Sequence, residues 1–157
     1  MPDDLYDRDF LIWSETQADL LRRLAAGERV NEAVDWPNVI EEVRDLGLSE
    51  LHAVESLLQR GLIHLLKVRA FPNSLTSRKW CGEAVLFLGQ AQRRFTPSMR
   101  QRIDLQREYT DALKVVRIEY GERASELPET CPFSLDDLLG EPRDLAALLA
   151  KLATPDA

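Results

Sequence analysis

Four side chains in the middle of the sequence have types and spacing that suit the binding of an anion. His64 and Lys67 are three residues apart, so a helix would place them on one face, and Arg78 and Trp80 follow beyond the next turn. If the two helices pack antiparallel, His64, Lys67, Arg78 and Lys79 could converge at the start of the helix that Ser77 caps, whose free backbone N–H groups attract anions. One interpretation of this cluster is therefore a pocket for a phosphate or a carboxylate.

Two neighbouring acids, Glu41 and Glu42, suggest a second interpretation, in which the cluster has a structural role and binds no ligand. They lie on an earlier predicted helix and could fold against the basic side chains as a buried ion-pair network. Such networks organise helical bundles without doing chemistry, and we favour this interpretation. An enzyme acting on a small ligand is kept as an alternative, with a pocket built from His64, Lys67 and Arg78. The candidate ligand-binding residues are His64, Lys67, Arg78, Trp80, Glu41 and Glu42.

Metal and nucleophilic chemistry have little support in the sequence. Carboxylate-bridged metals in helical bundles usually need a Glu-x-x-His element on each of two helices, and this sequence has none. Its two histidines, His52 and His64, are few for a metal site. Cys81 and Cys131 have no base placed beside them by the sequence, although an activated nucleophile needs one. We predict no catalytic residue, no metal and no cofactor.

The charge distribution is the least ordinary feature of the composition. Residues 1–55 hold five Lys and Arg against fourteen Asp and Glu, whereas residues 56–107, the basic centre, hold ten against two. The remaining residues are acidic again, and the total is −7. If the basic side chains share one surface, they could bind the phosphates of a nucleic acid. We favour their neutralisation by the acidic segments, because no aromatic residues alternate with the arginines as in single-strand binders.

Helical periodicity runs through the sequence, and no segment alternates strictly enough to predict a strand. The main helices are predicted from Tyr6 to Gly27, from Asp35 to Gly47, from Ser49 to about Arg69, from Ser77 to Phe95 and from Thr96 to Gly121. Short helices follow Ser134, which begins a capping box, and Pro142. The fold class is therefore all-α, a helical bundle of about four main helices plus short C-terminal helices. We expect a single domain over residues 1–157.

Two of these helices have marked apolar stripes. One face of the first helix carries an apolar series whose one polar member is Gln17: Tyr6, Phe10, Trp13, Leu20, Leu21 and Leu24. The second helix presents Val39, Ile40, Val43 and Leu46. Stripes of this kind face the core in most soluble proteins. The three tryptophans, Trp13, Trp36 and Trp80, lie on such faces, and we expect them to pack in the core rather than to stack on a ligand.

A series of landmarks resembles one known family. The landmarks are Tyr6-Asp7-x-Asp9-Phe10-x-x-Trp13, Asp35-Trp36, Ile40-Glu41-Glu42-Val43, Leu46-Gly47, His64-Leu65-Leu66-Lys67, Ser77-Arg78-x-Trp80 and Leu127-Pro128-Glu129-Thr130-Cys131-Pro132-Phe133-Ser134-Leu135. In order and type they resemble the domain of unknown function numbered 29, a family of cyanobacterial and other bacterial proteins. The resemblance covers about residues 5–140 and leaves 141–157 as a C-terminal helix and tail. It implies an α-helical fold and brings no known activity, cofactor or catalytic residue.

The remaining general features predict a cytoplasmic protein. No apolar run approaches the roughly 18 residues of a membrane span, and Asp7 and Asp9 stand where a secretory signal would be positive. Two cysteines are too few for a disulfide framework. Since the catalytic constellations are missing, we predict a non-enzymatic interaction or regulatory protein that binds a protein partner or a second copy of itself. An anion- or nucleic-acid-binding module that uses the basic centre is the first alternative.

Overall fold

The computed structural model describes residues 5–124 and 126–153, and the regular elements in these residues are all helical. The α-helices are α1 (Leu5–Arg8), α2 (Phe10–Ala25), α3 (Trp36–Ala70), α4 (Ser77–Arg94), α5 (Leu105–Tyr120), α6 (Leu135–Leu139) and α7 (Leu145–Lys151). The all-α prediction is confirmed, including the short C-terminal helices. The end of the predicted tail, residues 154–157, lies outside the described residues.

The chain forms two compact units, Met1–Ser49 and Glu50–Ala157. Helix α3 begins in the first unit and ends in the second. The single domain expected from the sequence stays a prediction. Each unit has its own set of contacts, and the candidate site residues divide between them.

In the first unit, Asp35 is the centre of a small hydrogen-bond network. The indole Nε1 of Trp13 donates to Asp35 Oδ2 at 2.9 Å, and the backbone N–H of Asp35 donates to Gln17 Oε1 at 2.8 Å. This bond explains a polar residue within the apolar stripe of α2, where Gln17 is buried. The side chain of Asn38 also donates to Asp35, and this bond is the main reason that the pKa of the Asp35 carboxyl is lowered.

In the second unit, α3, α4 and α5 supply a continuous apolar core. Its fully buried side chains include Leu58, Leu62, Leu65, Leu88, Tyr109 and Val116. Gly61 lets α3 and α4 approach closely, because a Cβ there would lie 2.7 Å from Leu88 Cδ2. The phenol of Tyr109 donates to the carbonyl of Pro128 at 2.5 Å, which ties α5 to the segment before α6. Burial raises the pKa of this phenol.

Helix α3 is longer than the sequence indicated. We predicted one helix ending at Gly47 and another beginning at Ser49, but residues 36–70 form one continuous helix. A glycine ends a helix when the next turn needs a left-handed conformation, and Gly47 does not adopt one. A glycine inside a helix costs about 1 kcal/mol relative to alanine, which the strong helix formers on either side can offset.

Two other predicted helix starts also differ in detail, and one is confirmed. Thr96 and Pro97 begin only a short 3-10 helix, Pro97–Met99, and α5 starts at Leu105 after Asp104, whose carboxylate accepts from Arg107 N at 3.1 Å. The cap of α4 is Thr76 rather than Ser77, and it makes no side-chain capping bond. The capping box at Ser134 is present as predicted, with Asp137 as its partner.

Candidate functional site

His64 and Lys67 lie on one face of α3 in the second unit, at the centre of a polar cluster. The Nε2 atom of His64 is 3.3 Å from an oxygen of Glu83 on α4, and its ring stacks on Phe87 with 5.5 Å between centroids. The other ring nitrogen, Nδ1, is buried without a hydrogen-bond partner. Burial is the main cause of a lowered His64 pKa, and the carboxylate of Glu83 only partly opposes it.

The ammonium of Lys67 is enclosed by one acid and two aromatic rings. Its Nζ is 3.2 Å from a carboxylate oxygen of Glu119 and lies 5.9 Å from the Trp80 ring centroid and 5.6 Å from that of Tyr120. The two rings meet edge to face at 6.1 Å. Cation–π contacts and the ion pair therefore hold this ammonium between α3, α4 and α5. Trp80 is buried, as core packing requires.

The side chains of the polar cluster are poorly placed to act as catalytic groups. A general base must present a free lone pair to its substrate, but the free nitrogen of His64 is buried and the other faces Glu83. Lys67 is equally engaged, with only 14% of its side chain exposed. In this arrangement Glu83 can orient the imidazole and Glu119 can neutralise the ammonium. Both are structural contributions to the packing of three helices.

The other predicted site residues do not join this cluster. Arg78 is exposed near the start of α4 and forms no ion pair with a described carboxylate. Glu41 and Glu42 lie in the first unit, where Glu42 accepts a hydrogen bond from the Tyr6 hydroxyl. That bond raises the pKa of Tyr6 to about 12. The ion-pair network predicted from the sequence required a break in the helix near Gly47, and α3 is unbroken there.

Sequence reasoning missed the acids that replace Glu41 and Glu42. Glu83 is the one acidic residue of α4, and it lies three residues after Trp80 and four before Phe87, so the helical spacing puts all three on one face. An acid within an apolar stripe is a signal that a buried cation faces it. Glu119 has no comparable signal, because its pairing with Lys67 depends on how α5 packs against α3.

The basic centre is only partly neutralised. Besides Lys67, Arg100 forms a close ion pair, 2.8 Å from Asp136, and Lys79 and Arg94 form longer ones of 3.9 Å with Glu83 and Glu50. Other basic side chains form no ion pair with a described carboxylate. They are Arg60, Arg69, Arg78, Arg93, Arg102 and Arg107. The acidic segments therefore neutralise some of this charge and leave the rest on the surface.

Several grooves mark the surface of the described residues, and His64 and Lys67 line none of the following four. The most polar one, about 590 Å³, lies between α3 and α4 and contains Arg60, Arg93 and Arg94. An apolar groove of about 460 Å³ lies between α4 and the segment from Glu141 to Leu148. A smaller groove, about 230 Å³, is lined by Val68 and Leu149. The fourth belongs to the first unit, around the loop after α2.

Metal ligands and reactive thiols are not assembled in the described residues. No group of three or more His, Cys, Asp or Glu side chains there has the arrangement of a metal site. Cys81 and Cys131 are both unpaired and half-buried. Burial raises the pKa of the Cys131 thiol, which disfavours the reactive thiolate. No helix of the described residues is long and apolar enough to cross a membrane.

The arrangement of helices and landmarks is that of a known family. The family model described as Domain of unknown function DUF29 matches residues 5–142. The chain belongs to this family. The resemblance noted in the sequence is thus confirmed, and the family description assigns no activity to the His64 cluster or to the grooves. Among curated proteins, no sequence matches this chain.

A solved structure of similar fold comes from Rhodospirillum rubrum. It is the crystal structure of an α-helical protein of unknown function, 27% identical to this chain, with a TM-score of 0.72. The similarity covers 95% of this chain and 98% of the other. The fold of this DUF29 member therefore has a solved counterpart along nearly its whole length. Neither the family nor the similar structure gives a function.

Proposed function

We propose that this protein is a non-enzymatic interaction protein whose first unit binds a basic amphipathic helix of another protein. One observation carries the proposal. Ile40, Val43 and Leu46 are exposed to 63%, 65% and 70% on the first part of α3. These spacings of three place their side chains along one face of the helix, next to Val39 and Trp36. An exposed apolar stripe of this kind marks an interaction site in a protein otherwise rich in charge.

Two polar side chains, Asp35 just before α3 and Glu42 within it, hold the start of this helix in the first unit, although helices usually pack through an apolar stripe. Asp35 and Glu42 make the side-chain contacts to Trp13 and Tyr6, while the apolar stripe is left without a partner. Among the described residues of this unit, Trp13 and Val34 are the only buried hydrophobic side chains. A core this small stabilises a segment of about 50 residues poorly, so a partner that covers the stripe would supply the missing burial.

Charge complementarity selects the kind of partner. Residues 1–49 hold twelve Asp and Glu against five Arg, so a second copy of this acidic unit would be repelled and a basic surface attracted. An apolar stripe with helical spacing is complementary to the apolar face of another helix. A basic amphipathic helix satisfies both requirements. The enclosed His64 and Lys67 side chains also support a non-enzymatic role over the small-ligand enzyme that would use them with Arg78.

We also propose that the protein acts in the cytoplasm. The two cysteines are unpaired, as expected in a reducing compartment. A partner helix with a charged face is soluble in water, so its binding takes place in an aqueous compartment.

The proposal is tested with two synthetic amphipathic peptides of equal length and identical apolar face. One peptide carries lysines on its polar face and the other carries glutamates. Fluorescence anisotropy should show that the lysine peptide binds at least about tenfold more tightly, a difference of about 1.4 kcal/mol. The substitution Val43→Glu should weaken that binding about tenfold or more, because it places a charge in the centre of the stripe.

Ile118→Glu is the matched control. Ile118 is exposed on α5 in the second unit, so this change adds the same charge at an apolar surface position outside the stripe. It should leave peptide binding unchanged. Equal binding of the two peptides, or an equal loss in both variants, would contradict the proposal. So would a dimer, seen by light scattering of the free protein, that Val43→Glu dissociates, because the occupant of the stripe would then be a second copy.

A further inference from the structure

The polar groove between α3 and α4 is a concentration of positive charge without a lining acid. Its walls are Ala53, Ser56, Leu57 and Arg60 from α3, and Gln90, Arg93 and Arg94 from α4. All of these residues belong to the second unit. The lining therefore offers three guanidinium groups, an amide and a hydroxyl over an apolar floor, and it contains no carboxylate.

The three arginines lack close anionic partners. The guanidinium of Arg60 lies over the ring of Phe87, 5.8 Å from its centroid, a cation–π contact that does not neutralise its charge. Neither Arg60 nor Arg93 lies within 4.0 Å of a described carboxylate, and Arg94 is 3.9 Å from the exposed Glu50. Exposed pairs of that length contribute little. Like charges at this density repel one another, and an anion in the groove would relieve that repulsion.

The donors select the chemistry of the ligand. Each guanidinium presents five N–H donors in a rigid fork that matches the oxygens of a phosphate in pairs. Three such groups exceed what one phosphate monoanion needs. The volume of about 590 Å³ admits a ligand larger than a single phosphate. A long nucleic acid fits less well, because the protein carries a net charge of −7 and acidic segments flank the basic centre.

We propose that this groove binds a small polyanion with two or more linked phosphate groups. Arg60 from one wall and Arg93 from the other hold separate phosphates, and Arg94 adds the third positive charge. Gln90 and Ser56 donate or accept the remaining hydrogen bonds. Arg93 and Arg94 also lie in the last turn of α4, where a cation interacts favourably with the helix dipole whether or not a ligand is present. The experiment separates this contribution from binding.

Calorimetric titration with inorganic pyrophosphate and tripolyphosphate at 50 and 200 mM salt provides the test. Both should bind at low salt, with affinity that falls as salt rises. Arg60→Gln and Arg93→Gln should each weaken pyrophosphate binding about tenfold or more, since each removes charge-assisted hydrogen bonds. Arg93→Lys should recover only part of the loss, because lysine keeps the charge but not the fork. Thermal unfolding of each variant identifies any loss that comes from the helix dipole.

Arg102→Gln is the control, since Arg102 is an exposed arginine of the basic centre that does not line the groove. It should bind pyrophosphate as the unchanged protein does. No heat of binding at 50 mM salt would overturn the proposal, and so would an equal loss in Arg102→Gln. Tight binding of single-stranded oligonucleotides that pyrophosphate fails to displace would also overturn it, because the ligand would then be an extended nucleic acid.

Discussion

At the scale of single residues, the partly buried imidazole of His64 makes folding sensitive to acid. Burial lowers its folded-state pKa below the ordinary value of 6.5, so the unfolded chain takes up this proton first as the pH falls. The contribution of neutral His64 to stability is therefore complete above about pH 6.5 and declines as the pH falls below it. Between pH 7 and 5.5, thermal unfolding should show a smaller loss of Tm in His64→Gln than in the unchanged protein.

The second histidine supplies the comparison for that prediction. His52 lies on the same helix but is exposed, so His52→Gln makes the same substitution at a surface position. Its Tm should follow the same pH dependence as that of the unchanged protein. A steeper decline in His64→Gln than in the unchanged protein would show the opposite sign. It would mean that the carboxylate of Glu83 dominates over burial and favours the imidazolium.

At the scale of the elements, the approach of α3 to α4 depends on Gly61. An added Cβ would lie 2.7 Å from Leu88 Cδ2 and 2.9 Å from its Cγ, and Leu88 is itself buried in the core. Overpacking of this kind costs about 1–3 kcal/mol, which exceeds the gain of about 0.5–1 kcal/mol from replacing a helical glycine by alanine. Urea unfolding of Gly61→Ala should therefore show a net destabilisation of about 1 kcal/mol.

Gly82 provides the matched substitution for Gly61. It lies within α4, and a Cβ there would have no atom within 4 Å. Gly82→Ala should thus stabilise the protein by about 0.5–1 kcal/mol through helix propensity alone. A loss of stability in Gly61→Ala together with a gain in Gly82→Ala would show that α3 and α4 are in close contact at Gly61. Stabilisation by both would contradict it, because α3 and α4 would then have room to separate at little cost.

The helices also show which structural features can be predicted from the sequence alone. The spacing of Val39, Ile40, Val43 and Leu46 predicts their shared face, and the capping box at Ser134 predicts the start of α6, since both depend on neighbours a few residues away. What the sequence could not show is that Ile40, Val43 and Leu46 on this face are exposed while Glu42 contacts Tyr6. That choice depends on Trp13 and Tyr6, which are distant in sequence.

The candidate site has the same limit. His64 and Lys67 were placed together correctly by their spacing, but their acids come from α4 and α5 and not from Glu41 and Glu42. The choice of acid depended on a helix break at Gly47 that does not occur. The same helix packing that brings Glu83 and Glu119 to these bases also encloses them. For this reason the groove of arginines is the better candidate for a ligand.

At the scale of the whole molecule, the two compact units should differ in stability. The first buries few hydrophobic side chains, whereas the second has a continuous core of leucines, Tyr109 and Val116. Regions with few buried apolar contacts open at lower free-energy cost than the core. The first unit should therefore unfold at lower urea concentration, and a basic helix that covers its stripe should raise that midpoint by mass action.

The three tryptophans can report on the two units separately. Trp80→Phe leaves Trp13 and Trp36, both in the first unit, and the double variant Trp13→Phe/Trp36→Phe leaves Trp80 in the second. Fluorescence in urea should give a lower midpoint in Trp80→Phe than in the double variant. Trp80→Phe can weaken only the second unit, whereas the tryptophans that remain in this variant report on the first. If the units unfold independently, the substitution therefore does not lower the midpoint that these tryptophans report. Coincident midpoints that match the loss of helical circular dichroism would instead establish one cooperative domain, because the unbroken α3 would then transmit unfolding between its two parts.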